Sequence, residues 1–535
     1  MIGLRRWYCM LSTYIACVAW LLPVLKAGAQ AGSSDEICWS AIEAGRGNDG
    51  RFDPARNRMR QAIIGGAVAS MAAAVAMDGR IIWEEACGWA DKERRLRATP
   101  HNPYNVGSIS KTFTATGFMI LAERGLVDLS HPANDYLGRA KLTSLGGDAS
   151  QATVRRLMHH TSGLPLHAQV IYDSEAYRRP SMDETILRYG IIVRPPGEAY
   201  NYANLGYGIV EHIISRVVGV SYEDFMRREV FGPLGLTHTA VGPVPELREI
   251  TVALYHNGAR RPGFDMDQRG AGYIFSSAHD LVRFGQFHLK DHLADQRQIL
   301  KDSTIDVMVE DVTQTPGGPY GGPGGDPSAY GLAWVITPNG AGSGLRTVYH
   351  HGSMPGVTAL LKLIPARRLA VAVLANTQGA PTNGVSDDVI AALVPEFTNQ
   401  RARPAPARPS APQPTFQPST TLVGTWRGTL KTWSADVPVE MEIRSDGDVH
   451  ISMPNSTPGL RGQLRALVSG VGFASGEFRG YFPGTIPTED ASRDRHSIIL
   501  DRLVLRGDTL SGTALADGGP HFALPSWIKL VRQPR

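Results

Sequence analysis

The stretch VGSISKTF, residues 106–113, places Ser108 three positions before Lys111. Residues three apart on a helix share a face, so the lysine can reach the serine hydroxyl. A serine hydroxyl is a weak nucleophile at neutral pH and needs a base beside it, and a lysine inside an apolar helix can lose its proton and act as that base. Backbone N–H groups at the start of a helix can also stabilise a developing oxyanion. The pair therefore predicts acyl transfer through Ser108.

The spacing alone is weak evidence, because the chain contains a second copy. SWIK places Ser526 three positions before Lys529, in a segment whose alternating pattern predicts a strand. Positions three apart on a strand point to opposite faces, so this second pair cannot meet. A helix and further catalytic groups are needed to distinguish the first copy from the second.

One such group stands in GEAYNYANLGYG, residues 197–208. Tyr202 and Asn204 follow a proline-glycine turn and open a predicted helix, a loop position where catalytic groups tend to lie. A tyrosine can relay a proton, and an asparagine can orient both a lysine and a substrate. The similar triplet Tyr255-His256-Asn257 lacks this setting.

The second group stands in YHHGSMPG, residues 349–356. It places His350 and Gly352, two candidate substrate-binding residues, on a predicted strand, with Ser353 next. A glycine there would let a substrate lie against the strand.

The elements that must position these residues are readable in outline. Residues 69–91 predict a hairpin about Asp78-Gly79, residues 108–124 a mostly buried helix, and residues 206–219 a helix that ends at a glycine. Residues 347–352 and 358–376 predict strands. The sequence therefore predicts an α+β fold: one antiparallel sheet with helices packed on it.

A composition change divides the chain. Residues 399–421 are rich in proline and alanine and predict a semi-rigid linker. Residues 422–535 then alternate apolar and polar positions around turns at Asp446-Gly447 and Gly507-Asp508, which predicts a small antiparallel, lipocalin-like β-barrel. We expect a large domain over residues 32–398 and the barrel over 422–535. Residues 315–331, rich in glycine and proline, predict a surface loop.

The N-terminus is typical of an export signal. Arg5 and Arg6 precede an apolar stretch, and AGAQA at residues 27–31 supplies small residues for cleavage. We therefore predict a signal peptide over residues 1–31 and a periplasmic or secreted protein, with an uncleaved membrane anchor as the alternative. In an oxidising compartment Cys38 and Cys87 could form a disulfide; two buried thiols are the alternative.

Charge and motif content exclude other classes. The net charge is +4, with 54 basic against 50 acidic residues, which argues against a nucleic-acid partner. The doublets His159-His160 and His350-His351 do not form chelates by themselves, and neither H-E-x-x-H nor C-x-x-C occurs, so no metal and no cofactor are predicted. His159 and His160 are interpreted as loop-shaping or hydrogen-bonding residues.

The three elements, in this order, resemble those of the serine β-lactamase and penicillin-binding protein superfamily. The resemblance is to the class C β-lactamase-like branch, which includes esterases, D-aminopeptidases and D-alanyl-D-alanine carboxypeptidases. It covers roughly residues 57–393 and includes LMHHTSGLP, AGYIFSSAHDLVRFGQF and YGLAW, at residues 157–165, 271–287 and 330–334. It implies a sheet flanked by helices, with an additional helical subdomain.

The resemblance also implies roles. Ser108 would be acylated, Lys111 and Tyr202 would share general-base duty, and Asn204 would help to hold the substrate. The backbone N–H groups of Ser108 and Ser353 would form the oxyanion hole. Which of Lys111 and Tyr202 takes the first proton stays open.

One departure bears on the substrate. Relatives that hydrolyse β-lactams or act as carboxypeptidases usually carry Lys-Thr-Gly where this chain has His350-His351-Gly352. A histidine is mostly neutral at pH 7, so recognition of a substrate carboxylate is weakened. The expected activity is hydrolysis of an ester or amide, with cell-wall peptides among the candidates. A β-lactamase proper and a non-catalytic cell-wall ligand binder are the alternatives, and the oligomeric state and the role of the barrel stay open.

Overall fold

The computed structural model describes residues 37–40, 50–310, 328–340, 343–397, 416–453 and 465–534. Residues from Cys38 onward form one compact unit. The predicted signal peptide and most of the predicted linker lie outside the described residues, so the domain boundaries stay predictions. No helix in the described ranges combines the length and apolar character that a membrane span requires.

Strands occur throughout the large part, between Cys38 and Ala375. They are β1 (Cys38–Ser40), β2 (Ser70–Met77), β3 (Arg80–Asp91), β4 (Leu96–Arg97), β5 (Tyr104–Asn105), β6 (Thr143–Ser144), β7 (Ala168–Tyr172), β8 (Ile191–Ile192), β9 (Ala240–Val241), β10 (Leu254–His256), β11 (Ala259–Arg261), β12 (Phe264–Met266), β13 (Ile274–Ser276), β14 (Ala329–Tyr330), β15 (Val335–Thr337), β16 (Thr347–Met354), β17 (Val357–Ile364) and β18 (Leu369–Ala375).

Helices lie between some of these strands along the chain. They are α1 (Asp53–Ile64), α2 (Ser110–Glu123), α3 (Ala133–Tyr136), α4 (Val154–Met158), α5 (Met182–Tyr189), α6 (Asn204–Val218), α7 (Tyr222–Met226), α8 (Arg269–Gly272), α9 (Ala278–His288), α10 (Asp302–Val309) and α11 (Thr382–Leu393). Short 3-10 turns include Gly107–Ile109, immediately before α2.

The main sheet has the strand order β1-β3-β2-β18-β17-β16-β15-β14, with β4 paired to β3. The predicted hairpin about Asp78-Gly79 joins β2 and β3, and both turn residues have positive φ. β18 pairs antiparallel with β2, so the first and last hairpins of this part are neighbours in one sheet. The α+β fold predicted from the sequence is confirmed.

Helices cover both faces of this sheet. Alternate residues of β2 and β18 belong to different core clusters, as the two-residue period of a strand requires. Ala72 and Leu374 face the side on which α9 packs, and Val75 and Val373 face α1 and α11. Beyond the sheet, α3, α4, α5 and α7 contact α6 and form the helical part of the fold.

α2 is buried on all sides from its first residue to Leu121, which suits a central helix. The sequence predicts Ser108 inside the first turn of this helix. The structure instead places Ser108 in the 3-10 turn just before it, immediately after Gly107, whose φ of 52° lies in the left-handed region. α6 ends as predicted, with Gly219 in the left-handed conformation as its cap.

The C-terminal part is a nearly closed antiparallel sheet. Its strands are β19 (Gly424–Lys431), β20 (Asp436–Ile443), β21 (Val449–Ser452), β22 (Ala466–Leu467), β23 (Ser469–Ala474), β24 (Glu477–Pro483), β25 (Ser497–Arg506), β26 (Thr509–Asp517) and β27 (Phe522–Arg532). The order is β22-β21-β20-β19-β27-β26-β25-β24-β23. SWIK lies on β27, with Ser526 buried and Lys529 exposed, as predicted for a strand.

The barrel is joined to the large part by backbone and side-chain contacts. At the start of β27, Phe522 and Ala523 pair with Gln169 and Ala168 of β7.

A buried carboxylate lies at the same junction. Asp490, which is fully buried, accepts hydrogen bonds from Tyr177 Oη at 2.6 Å, from Arg188 Nη1 at 2.8 Å and from Tyr189 Oη. These three donors all come from the large part, so Asp490 links the barrel to it.

A disulfide joins the two strands at the start of the main sheet's strand order. Cys38 of β1 and Cys87 of β3 are register partners and are bonded to each other.

Candidate active site

The nucleophile and its base meet where the 3-10 turn runs into α2. Lys111 Nζ lies 3.0 Å from Ser108 Oγ and donates to the carbonyl oxygen of Ala271 at 2.7 Å. The lysine side chain is fully buried, and this burial lowers the pKa of Lys111 well below its usual value. The neutral amine, which can accept a proton from the serine hydroxyl, is therefore favoured.

The turn that carries Ser108 is fixed by short-range and long-range hydrogen bonds. Asn105 Oδ1 accepts from Gly107 N at 2.8 Å. Val106 N donates to the Ile274 carbonyl at 2.9 Å, and Ile274 N donates to Ser110 Oγ at 2.9 Å. β13 thus holds both sides of the nucleophile turn.

β16 lies directly against this turn, backbone to backbone. A Cβ on Gly352 would lie 1.9 Å from the Val106 carbonyl oxygen, and a Cβ on Gly107 would lie 2.8 Å from Ser353 N. The sequence predicts that Gly352 leaves room for a substrate; in the structure the Val106 carbonyl takes that room. Gly352 therefore sets the distance between Ser108 and the backbone of Ser353, the two residues of the predicted oxyanion hole.

His350 lies on β16, two residues before Gly352, and its ring is buried and neutral. Its Nδ1 donates to the His351 carbonyl at 2.7 Å, so its Nε2 accepts from the Tyr330 hydroxyl at 2.9 Å. Burial, with Lys111 nearby, lowers the pKa of His350 to about 3. The predicted substrate contact by this ring is therefore corrected: both nitrogens serve protein groups, and the residue orients Tyr330.

Tyr202 stands close to the lysine. Lys111 Nζ lies 4.9 Å from the centroid of the Tyr202 ring. Asn204 is the first residue of α6, and its Nδ2 donates to the His167 carbonyl at 3.0 Å. The structure thus brings Ser108, Lys111 and Tyr202 together, with Asn204 two residues beyond.

His160 fixes the backbone on both sides of Tyr202. Its Nδ1 accepts from Ala203 N at 3.1 Å, its carbonyl accepts from Asn201 N at 2.7 Å, and its ring lies 4.2 Å from the Tyr202 ring. The residue is fully buried with a φ of 59°, and burial lowers its pKa well below the usual value. The loop-shaping and hydrogen-bonding role predicted for His160 agrees with this geometry.

Tyr330 has no assigned role in the sequence analysis. It is fully buried, donates to His350, and its ring lies 4.8 Å from that of His160. The sequence places Tyr330 in a predicted surface loop, whereas the structure puts Ala329–Tyr330 in β14, at the end of the main sheet. The sequence feature that could have indicated Tyr330 is its place as the first residue of YGLAW.

The turn that receives the lysine is supported by a buried carboxyl group that the sequence analysis also misses. Glu211 of α6 accepts from Gly270 N at 2.6 Å, and Thr114 Oγ1 donates to the Gly270 carbonyl at 2.7 Å. Burial raises the pKa of Glu211 to about 8. These contacts fix α8 and, with it, the Ala271 carbonyl that Lys111 contacts. The signal is an isolated glutamate among the apolar residues of α6.

The barrel reaches the segment that carries Tyr202. Arg502, in the bulge of β25, donates through Nη1 to the Tyr200 carbonyl at 3.0 Å. Arg194 Nη2 donates to Glu477 Oε1 at 2.8 Å across the same junction. The loop before α6 is therefore held from one side by His160 and from the other by the barrel.

Comparisons with known proteins identify the family and the fold. The family model described as Beta-lactamase matches residues 55–396. The putative penicillin-binding protein PbpX of Bacillus subtilis is 25% identical over 311 residues, which cover 57% of this chain and 70% of that protein. Protein flp of Staphylococcus aureus is 22% identical over 309 residues, which cover 56% of this chain and 58% of that protein.

Solved structures show the same fold. The class C beta-lactamase from Rhodobacter sphaeroides matches with a TM-score of 0.53 and 20% identity, over 64% of this chain and 99% of that one. A structure of SurE with D-Leu matches with a TM-score of 0.58 and 21% identity, over 89% of this chain and 100% of that one. Because the family model matches more than half of its length, this chain belongs to the Beta-lactamase family.

Proposed function

We propose that this protein is a serine hydrolase that cleaves an ester or an amide through an acyl-enzyme at Ser108. The observation that carries the proposal is the buried amine of Lys111, 3.0 Å from Ser108 Oγ. Burial lowers the pKa of this amine and so favours its neutral, basic form, and the hydroxyl within its reach becomes a nucleophile.

Acylation follows from this arrangement. The hydroxyl proton of Ser108 moves to Lys111 or to Tyr202, and Oγ bonds to the substrate carbonyl carbon. The carbonyl oxygen takes up the negative charge, which the backbone N–H groups of Ser108 and Ser353 stabilise. The intermediate collapses, the bond to the leaving group breaks, and the alcohol or amine departs with the proton held by the base.

Deacylation reverses the roles. A water molecule gives a proton to the same base and adds to the ester carbonyl, and Ser108 leaves with that proton. Tyr202 is the proposed relay, because Lys111 Nζ lies over its ring and His160 fixes the backbone on either side of it. Asn204 would hold the substrate at the start of α6.

The neutral, buried His350 favours substrates without a carboxylate beside the scissile bond. Relatives with a lysine at this position have a fixed positive charge, whereas here the ring is held uncharged. Esters and amides, including those of D-amino acids, fit such a site better than β-lactams do. The fold match to SurE, solved with D-Leu, extends over most of this chain and supports the inclusion of D-leucyl compounds in the test.

We propose further that the protein is exported, with residues 1–31 as its signal peptide. The Cys38–Cys87 disulfide supports this proposal, because disulfides persist in oxidising compartments.

The test is a substrate panel read out by intact-protein mass spectrometry. It contains p-nitrophenyl esters, D-alanyl and D-leucyl amides and nitrocefin, with the parent protein, Ser108→Ala and Ser526→Ala. The Ser526 variant is a matched control, since it removes the other serine with a lysine three positions on. We expect a covalent adduct and turnover of an ester or D-amino-acid amide in the parent and the control, and neither in Ser108→Ala.

Turnover that survives Ser108→Ala would contradict the proposal. So would the absence of any adduct combined with failure of a fluorophosphonate probe to label Ser108. Binding of a labelled muropeptide that survives Ser108→Ala, without turnover in the parent, would favour a non-catalytic ligand binder instead.

A further inference from the structure

Three potential metal ligands from three different elements converge outside the proposed active site. Glu84 lies on β3, His101 in the turn before β5, and His279 in the first turn of α9. One ligand atom from each lies within 4.8 Å of the other two. We infer that this cluster binds a divalent transition-metal ion, with Zn²⁺ the best match.

The three side chains already contact each other. His279 Nδ1 lies 2.8 Å from Glu84 Oε1, and the ring centroids of His101 and His279 are 4.6 Å apart. Zinc takes histidine nitrogens and carboxylate oxygens at about 2.0–2.2 Å, which places the ligand atoms about 3.3–3.5 Å apart. Small side-chain rotations would bring the more distant ligand atoms closer together and would separate His279 Nδ1 from Glu84 Oε1 by about 0.5 Å, which completes that geometry.

One of these groups lacks a partner. His101 Nδ1 is buried and makes no hydrogen bond within the described ranges of the chain. Buried polar atoms are usually satisfied, so an orphaned imidazole nitrogen next to a histidine–glutamate pair is what an empty chelate would present.

A further histidine and a buried aspartate lie next to the cluster. The ring of His238 lies 5.3 Å from that of His101, and Asp280 Oδ1 lies 3.9 Å from His238 Nδ1. Asp280 is fully buried, and its Oδ1 also has no hydrogen-bond partner among the described residues. A carboxylate near a histidine ring favours the orientation and charge that a neighbouring metal ion requires. His238 lies outside the group of three whose ligand atoms are within 4.8 Å of one another, so the fourth position of the ion is left to water.

The donor set selects the kind of ion. Imidazole nitrogens with one carboxylate suit Zn²⁺, Ni²⁺ or Cu²⁺, whereas Ca²⁺ and Mg²⁺ prefer oxygen ligands. The partly exposed rings of His279 and His238 leave the ion a route from solvent. Another group of potential ligands, Cys38, Glu85 and Cys87, lacks free thiolates because its cysteines form the disulfide.

The test titrates Zn²⁺ into untagged, metal-free, full-length protein against a chromogenic chelator. We expect one equivalent of tight binding and a rise in melting temperature on saturation. His101→Ala and His279→Ala should weaken binding at least tenfold. His256→Ala, an exposed histidine on β10 outside the cluster, is the matched control and should bind as the parent does.

Binding that is unchanged in both cluster variants would overturn the inference, as would less than one equivalent in the parent. Circular dichroism melting establishes that each variant is folded. If a variant fails to fold, X-ray absorption at the zinc edge of the loaded parent decides the matter. At least two imidazole ligands are expected there, and a shell of water oxygens alone would overturn the site.

Discussion

Replacing Gly352 by alanine tests the proposed geometry of the active site without removing any functional group. The new Cβ would lie 1.9 Å from the Val106 carbonyl oxygen, so β16 and the nucleophile turn must separate by at least about 1 Å to relieve the overlap. That movement would carry the Ser353 N–H away from the oxyanion that forms at Ser108.

A misplacement of about 1 Å costs on the order of 100-fold in rate, equivalent to about 2.7 kcal/mol of transition-state stabilisation. We therefore expect the acylation rate constant of Gly352→Ala to fall by about 100-fold. Ser353→Ala should acylate within about threefold of the parent rate, because the proposed role uses the backbone N–H and the side chain is exposed.

The assay is stopped-time formation of the acyl-enzyme at Ser108 with a p-nitrophenyl ester, measured by intact mass. The barrel offers a matched control, Gly428→Ala, whose Cβ would also lie 1.9 Å from a carbonyl oxygen, that of Lys529. Both glycine variants should lose stability, and only Gly352→Ala should lose acylation rate. A folded Gly352→Ala protein that acylates within threefold of the parent would refute the reasoning.

Three further predictions concern buried charge. Lys111→Met should slow acylation by about 10²–10⁴-fold. In the parent, the acylation rate should rise with pH through the lowered pKa of Lys111 and level off above it. A parent rate that does not depend on pH would contradict this prediction. Burial raises the pKa of Glu211 from 4.5 to about 8. Between these pH values the unfolded state releases a proton that the folded state keeps. The free energy of unfolding therefore falls by up to about 1.4 kcal/mol for each unit by which the pH rises. In Glu211→Gln this fall should be absent, as measured by urea unfolding at pH 5 and pH 8; equal falls in both proteins would count against a buried, protonated Glu211. Asp490→Ala should lower the free energy of unfolding by about 3–5 kcal/mol, because it leaves the largely buried Arg188 guanidinium without its carboxylate. A loss below about 1 kcal/mol in the same urea assay would show that water solvates the Arg188 guanidinium at this junction.

Local sequence patterns predict those parts of the structure that depend on residues close together in the chain. Ser108 and Lys111 are close because a helical turn brings residues three apart together, and the hairpin at Asp78-Gly79 follows from its turn chemistry. The second copy at Ser526 and Lys529 was separable for the same local reason, since a strand directs the two side chains to opposite faces.

Other parts depend on contacts between distant segments, which no local pattern encodes. His160 supports Tyr202 from more than 40 positions away, and Tyr330 reaches His350 only because β14 joins the main sheet. The role of Gly352 was misread because its neighbour, the Val106 carbonyl, comes from a segment far earlier in the chain.

The pairing of β27 with β7 also bears on how the chain avoids aggregation. A barrel attached only through a proline-rich tether could be deleted cleanly. Here the deletion would uncover the backbone groups of Ala168 and Gln169, together with the donors that Asp490 satisfies. An uncovered strand is a template for pairing with another molecule, so a chain shortened before the barrel should self-associate through β7. The barrel thus covers the part of β7 that its neighbour β12 leaves unpaired.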